Sequence, residues 1–118
     1  MATAGIAFDA TIVVNGDWLP LIGYKLALDL LQRQNGPTAI FCANDLMAVG
    51  ALEAASELGL SVPSDVSIMG YDDQELSWYP HPPLSTLVLP NYKLGRRAAE
   101  LLIGIAVHGK PQQPMTSK

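Results

Sequence analysis

Cysteine is almost absent from this sequence: Cys42 stands alone, so no disulfide can form within the chain. The two histidines, His81 and His108, have no partner at metal-ligand or nucleophile spacing. No glycine-rich phosphate loop occurs, which removes the commonest nucleotide-binding signature. Basic residues are scarce, 7 Lys+Arg against 11 Asp+Glu, and a net charge of −4 argues against unaided DNA binding. No apolar run approaches the ~20 residues that span a bilayer, so no membrane partner is expected. The first residues lack the charged and apolar regions of a secretory signal, and the expected compartment is the cytoplasm.

What remains is a chain of 118 residues, 49% hydrophobic, with enough apolar surface for one core. Three acidic turns organise it: Asn15-Gly16-Asp17-Trp18, Asn44-Asp45 and Tyr71-Asp72-Asp73. Asp17, Asp45 and Asp73 recur at an even spacing of 28 residues, close to the length of one strand-helix-strand unit. In an open parallel sheet the crevice at the carboxyl ends of the strands collects ligands, which makes these turns the site candidates.

Taken in order, Thr11–Val14 is β-branched or aliphatic throughout and predicts a short buried strand, with Asp17 as N-cap of the next helix. Ile22, Leu26 and Leu30 recur at helical spacing until Gly36-Pro37, with Lys25, Asp29, Gln32 and Arg33 outward and Pro20 in the tolerated first turn. Thr38–Ala43 predicts a second strand, apolar without alternation as when helices cover both faces, with Cys42 as a small hydrophobe. Asn44 or Asp45 opens a helix whose Met47, Ala48, Ala51, Leu52, Ala55 and Leu58 face inward, stopped at Gly59. A third strand is expected over Val66–Met69, one helical turn within Gln74–Tyr79, and an extended path from Pro82-Pro83 through Leu89. A last amphipathic helix, with Leu94, Ala98, Leu101, Leu102 and Ile105 on one side, runs from Pro90 to Gly109-Lys110-Pro111. Arg96 and Arg97 belong to its solvated face, and the tail after Pro111 reads as disordered.

Gly16-Asp17-Trp18, the run Pro37–Leu52 (PTAIFCANDLMAVGAL), Glu57–Asp73 (ELGLSVPSDVSIMGYDD) and Pro82–Leu87 (PPLSTL) resemble, in order and spacing, the effector-binding core of the lactose/galactose-repressor family of bacterial transcription regulators. The resemblance covers about residues 11–110. It implies an α/β fold, a parallel sheet flanked by helices, of the periplasmic-binding-protein-like kind. Residues 1–89 would form the second effector-binding subdomain, 90–110 a crossover helix of the first, and 111–118 a tail. The helix-turn-helix segment, through which such proteins reach DNA, and most of the first subdomain would lie outside this chain. The implied function is effector sensing without chemistry or cofactor, as a homodimer whose ligand is a sugar or related metabolite. A periplasmic sugar-binding protein is the near alternative.

The resemblance carries Trp18, Asn44 and Asp72 over as effector contacts. An aspartate accepts hydrogen bonds from hydroxyls, an amide gives and accepts, and an indole face covers the apolar side of a ring. From the residues alone, Asn44 reads equally as a helix cap and Trp18 as a packing residue. Asp72 and Asp73 cannot both cap one short turn, and Asp72 is expected to be the free one. Val49, Leu76, Trp78 and Tyr79 are implied as the dimer face, with ordinary core as their plain alternative. Leu89 stands where many family members carry glutamine, and Ser85 replaces a threonine, so the ligand is left open. A metal-dependent enzyme holding Mg²⁺ on Asp17, Asp45, Asp72 and Asp73 is the contrasting reading; without a phosphate loop or a lysine at these turns it is the weaker one.

Overall fold

The computed structural model describes residues 2–109. The chain divides into two units, one ending at Val88 and the other starting at Leu89. The first runs through helix α1 (Pro20–Leu31), strand β1 (Ala39–Phe41), helix α2 (Asp45–Glu57) and strand β2 (Ser67–Met69), with single 3₁₀ turns at Ala2–Ala4, Ala10–Ile12 and Glu75–Trp78. The second is helix α3 (Asn91–His108), amphipathic as its spacing predicts and closed by Gly109 in the left-handed region. Arg96 and Arg97 both pair with Glu100 on its surface, and these bonds hold the Glu100 carboxyl below its usual value. The tail expected over 111–118 lies outside the described residues. Among the described residues no helix is long and apolar enough to cross a membrane.

β1 and β2 pair in parallel, Ala39 with Ser67, Ile40 with Ile68 and Phe41 with Met69. The extended segment after Pro83 continues the sheet through parallel bridges from Met69 to Ser85 and from Asp72 to Val88. Burial alternates along the strands: Cys42, Val66 and Ile68 are buried, whereas Ala39, Phe41 and Ser67 are exposed. Among the described residues of this unit, the helices pack on one face of the sheet. Both helices of this unit share one core with the strands, built from Ala27, Cys42, Ala48, Ala51, Ala54, Ala55, Val66, Ile68 and Leu84. The other face borders an open groove of about 860 Å³ lined by Val13, Phe41, Met69 and Pro83 among others.

The helices meet at unusually short range. A Cβ at Gly50 would stand 2.0 Å from the Pro20 carbonyl oxygen, and one at Gly23 would stand 2.3 Å from that of Met47. Only glycine fits at this crossing. It also shifts the α1 stripe: Gly23, Ala27 and Leu30 are buried, while the expected Ile22 and Leu26 are only half-buried, because the smallest side chains occupy the closest approach. On α2 the expected Ala48, Ala51 and Ala55 are buried together with Gly50 and Ala54, while the expected Met47, Leu52 and Leu58 are only half-buried. Tyr24 of α1 donates to Glu57 of α2, a bond that raises the tyrosine pKa. α2 ends with Leu60 N–H on the Ala55 carbonyl and Gly59 N–H on that of Ser56, the six-to-one and five-to-two pair of a Schellman closure.

Thr11–Val14 forms no strand, against expectation. The Asp9 carboxylate accepts from both the Thr11 N–H (2.8 Å) and its hydroxyl (2.7 Å), capping a 3₁₀ turn at Ala10–Ile12, and Arg33 donates to the Thr11 carbonyl. Local side-chain bonds of this kind offer the backbone an alternative to a ladder.

Helix propensity alone predicts that Gly50→Ala gains about 1 kcal/mol. The crossing reverses the sign: urea unfolding should show a loss of about 2 kcal/mol or more from overpacking against backbone. Ser56→Ala, on the exposed side of α2, should be stabilising by about 0.5 kcal/mol.

Candidate functional site

The three acidic turns come together at the carboxyl end of the sheet because each is hydrogen-bonded to the next. Asn44 caps α2, its Oδ1 accepting the Met47 N–H at 2.9 Å, while its Nδ2 donates to the Trp18 carbonyl at 2.9 Å. One amide thus closes the second turn and pins the first. The next residue reaches the third turn: Asp45 N–H donates to the Tyr71 carbonyl at 2.9 Å.

Asp45 is the residue that sequence reasoning undervalued. Its side chain is 0% exposed, at the first position of α2, where the helix dipole favours negative charge. Oδ1 accepts from the Thr86 hydroxyl at 2.5 Å and Oδ2 from the Gln74 N–H at 2.8 Å. A Cβ at Gly70 would lie 2.3 Å from Asp45 Oδ1, so glycine there makes room for the carboxylate. The one available signal was an acid directly after a capping asparagine in an apolar stretch. Each oxygen thus accepts one hydrogen bond from a protein donor. Among the described residues no group of three or more His, Cys, Asp or Glu is placed to hold a metal ion.

Trp18, Asp72 and Asp73 have φ of 73°, 114° and 55°, and they are the non-glycine residues given positive φ among those described. Bulky or branched backbone strain of this sort costs on the order of 1–3 kcal/mol per residue and gathers where a fold serves a ligand. Trp18 is 61% exposed, held by its carbonyl rather than by packing of its ring. Asp17 does not cap α1; Leu19 is the N-cap, and Asp17 Oδ1 accepts the Leu19 N–H at 3.1 Å, shaping the turn one step earlier.

Neither Asp72 nor Asp73 caps the 3₁₀ turn, whose N-cap is Gln74, so the expected division of labour is corrected. Asp72 Oδ2 accepts from Gln74 Nε2 at 3.2 Å, and Asp73 Oδ1 from the Trp78 indole N–H at 3.3 Å. Asp72 Oδ1 takes no hydrogen bond from the described residues. No salt bridge among them reaches Asp17, Asp45, Asp72 or Asp73. Carboxylates left without cations favour neutral ligands rich in O–H or N–H over anions.

Beside the first turn lies a cavity of about 370 Å³, lined by Asn15, Gly16 and Trp18 on one side and by Cys42, Ala43 and Met47 on another. Its walls are mainly apolar. Burial pushes the Cys42 thiol up to about 11, so it is a neutral wall element near neutral pH. Of the residues implied for a dimer face, Val49 and Leu76 are half-buried, whereas Trp78 (63%) and Tyr79 (68%) are exposed. The two aromatics are surface residues, not core.

Residues 2–117 match the family described as periplasmic binding protein-like domain. The chain is 42% identical over 113 residues to the HTH-type transcriptional repressor PurR of Yersinia enterocolitica, covering 96% of this chain and 33% of that protein. It therefore spans about a third of the length of the curated relatives it matches. Among solved structures, a LacI-family regulatory protein from Chloroflexus aggregans superposes with a TM-score of 0.88 at 36% identity, over 96% of this chain and 41% of the other. A LacI-family regulator from Arthrobacter sp. FB24, solved in complex with lactose, gives a TM-score of 0.72 at 32% identity over 84% of this chain and 36% of the other.

Asp45→Ala should lower stability by about 2–4 kcal/mol in urea unfolding, because it strands the Thr86 hydroxyl and the Gln74 N–H. Asp72→Ala, half-exposed, should change it by less than about 1 kcal/mol. Iodoacetamide should label Cys42 slowly in the folded protein at pH 8 and readily in urea. Because the folded thiol titrates above its ordinary 9.0, the stability it contributes is full below that value and is lost as pH rises through about 11.

Proposed function

Because the chain belongs to the periplasmic-binding-protein-like domain family, in the form found in LacI-type regulators, we propose that it senses a small neutral effector on behalf of a transcriptional repressor. The single observation that carries this is the bonding of three acidic turns into one strained cluster. It presents an exposed indole at Trp18 and a carboxylate with an open oxygen at Asp72. A flat apolar surface and a hydrogen-bond acceptor are what a pyranose or a purine-like base needs: one covers the ring, the other takes an O–H or N–H. Asn44 serves in this reading mainly by position. Its cap and its bond to Trp18 set the turn, and its remaining lone pair and N–H are what it offers a ligand.

The chain performs no chemistry in this account. The ligand acts by favouring one arrangement of subdomains over another, and DNA contact belongs to parts of such repressors outside the matched third. A net charge of −4 supports that division. The cytoplasm is the fitting compartment for a repressor. The exposed Trp78 and Tyr79, with the half-buried Val49 and Leu76, are the residues through which two copies would pair.

Thermal unfolding with hexoses, pentoses, disaccharides, purine bases and Mg²⁺ tests the reading. A ligand at about a hundred times its Kd adds roughly 2.7 kcal/mol, a rise of several degrees for a domain of this size. The expected result is a rise with one sugar or base, lost in Trp18→Ala and Asp72→Ala while both variants still unfold cooperatively. A rise with Mg²⁺ alone, or one unaffected by either substitution, would overturn it. Asp72→Gly should raise the ligand-free midpoint by relieving the φ of 114° and still abolish the ligand response.

A further inference from the structure

We propose that Trp78, although it lies on an exposed aromatic surface, is a positioning residue for the Asp72 turn and acts through Asp73; this rests on the reading of Asp72 as an effector contact. Asp72 and Asp73 are consecutive residues at positive φ, a conformation that persists only where neighbouring groups hold it. The holding bonds are few. Asp72 N–H donates to the Leu87 carbonyl at 2.9 Å, Asp73 N–H to the Thr86 hydroxyl oxygen at 3.3 Å, and Gln74 N–H to Asp45 at 2.8 Å. Those three reach inward, to the sheet extension and to the buried carboxylate.

A further bond, Gln74 Nε2–H to Asp72 Oδ2 at 3.2 Å, stays within the turn, and the fifth reaches outward. Trp78 Nε1–H donates to Asp73 Oδ1 at 3.3 Å from a side chain that is mostly solvent-exposed. Asp73 is thus held on its backbone side by Thr86 and on its side-chain side by the indole, with Asp72 next in the chain. Trp78 in turn is placed by the 3₁₀ turn Glu75–Trp78, whose start is fixed to Asp45 through Gln74 N–H. The loop closes on itself: Asp45, Gln74, the turn, Trp78, Asp73, Thr86 and back to Asp45. Cutting it at the indole leaves the hydrophobic packing of the unit intact and frees only the strained pair. Any event that covers the indole removes water from this bond and strengthens it, so occupancy of the aromatic surface and geometry of the Asp72 turn are linked in both directions.

Amide hydrogen exchange on the whole chain tests this without a ligand. Trp78→Phe, which keeps the ring and removes the donor, should raise exchange at Asp72, Asp73 and Gln74 by about tenfold, while core amides at Ile68 and Ala51 stay as in the parent. Asp73→Gly should do the same even though glycine relieves the backbone, and Asp73→Asn, which keeps an acceptor, should restore parent-like exchange. The Trp78→Phe, Asp73→Gly pair should be no faster than either alone. Parent-like exchange in Trp78→Phe, strictly multiplicative effects in the pair, or a rise shared equally by the core would each overturn the proposal. If exchange responds as expected and no compound raises the thermal midpoint, the positioning bond stands and only the effector reading fails.

Discussion

A carboxylate sealed from water has to be given partners, and at Asp45 that requirement fixes the architecture around it. Removing an ionised group from solvent costs several kcal/mol unless hydrogen bonds replace the lost water. Here the replacements come from three sources: the Thr86 hydroxyl, the Gln74 N–H and the partial positive charge at the start of α2. Thr86 sits on the sheet extension and Gln74 at the start of the aromatic 3₁₀ turn, so satisfying one buried charge brings together segments distant in sequence. Gly70 is the steric counterpart, since any side chain there would collide with the same oxygen.

From this constraint the site follows in sequence. Asn44, one residue before Asp45, is held in place as the helix cap and has an amide hydrogen to fix the Trp18 carbonyl. Asp72, one residue after the Tyr71 carbonyl that receives the Asp45 N–H, is held in a conformation it would not adopt alone. The exposed indole and the open carboxylate oxygen are therefore held by hydrogen-bonded neighbours, which in the proposed reading would lower the entropic cost of binding.

Periodicity and punctuation made most of the elements legible in the sequence. The helices of the first unit, the parallel strands, the asparagine cap, the stop at Gly59 and the extended path after the prolines all follow from local patterns, and the order of motifs pointed to the family. Three features did not follow. Thr11–Val14 has strand composition, yet a two-residue contact with Asp9 outweighs it. The α1 stripe is offset because the Gly23 and Gly50 crossing is a property of two helices at once, invisible in either pattern alone. The roles of the aspartates were mixed for the same reason: Asp45 finds its partners 29 and 41 residues away, and spacing along one element carries no record of contacts at that range.

The central claim, that Asp45 and Thr86 act as one unit in joining the turns, is tested most directly by a double-mutant cycle on urea unfolding. It uses Asp45→Ala, Thr86→Val and the combination. The account predicts a coupling energy above about 1 kcal/mol, because either substitution already breaks the shared bond. Effects that add to within about 0.3 kcal/mol would show the two residues to be independent and would contradict it.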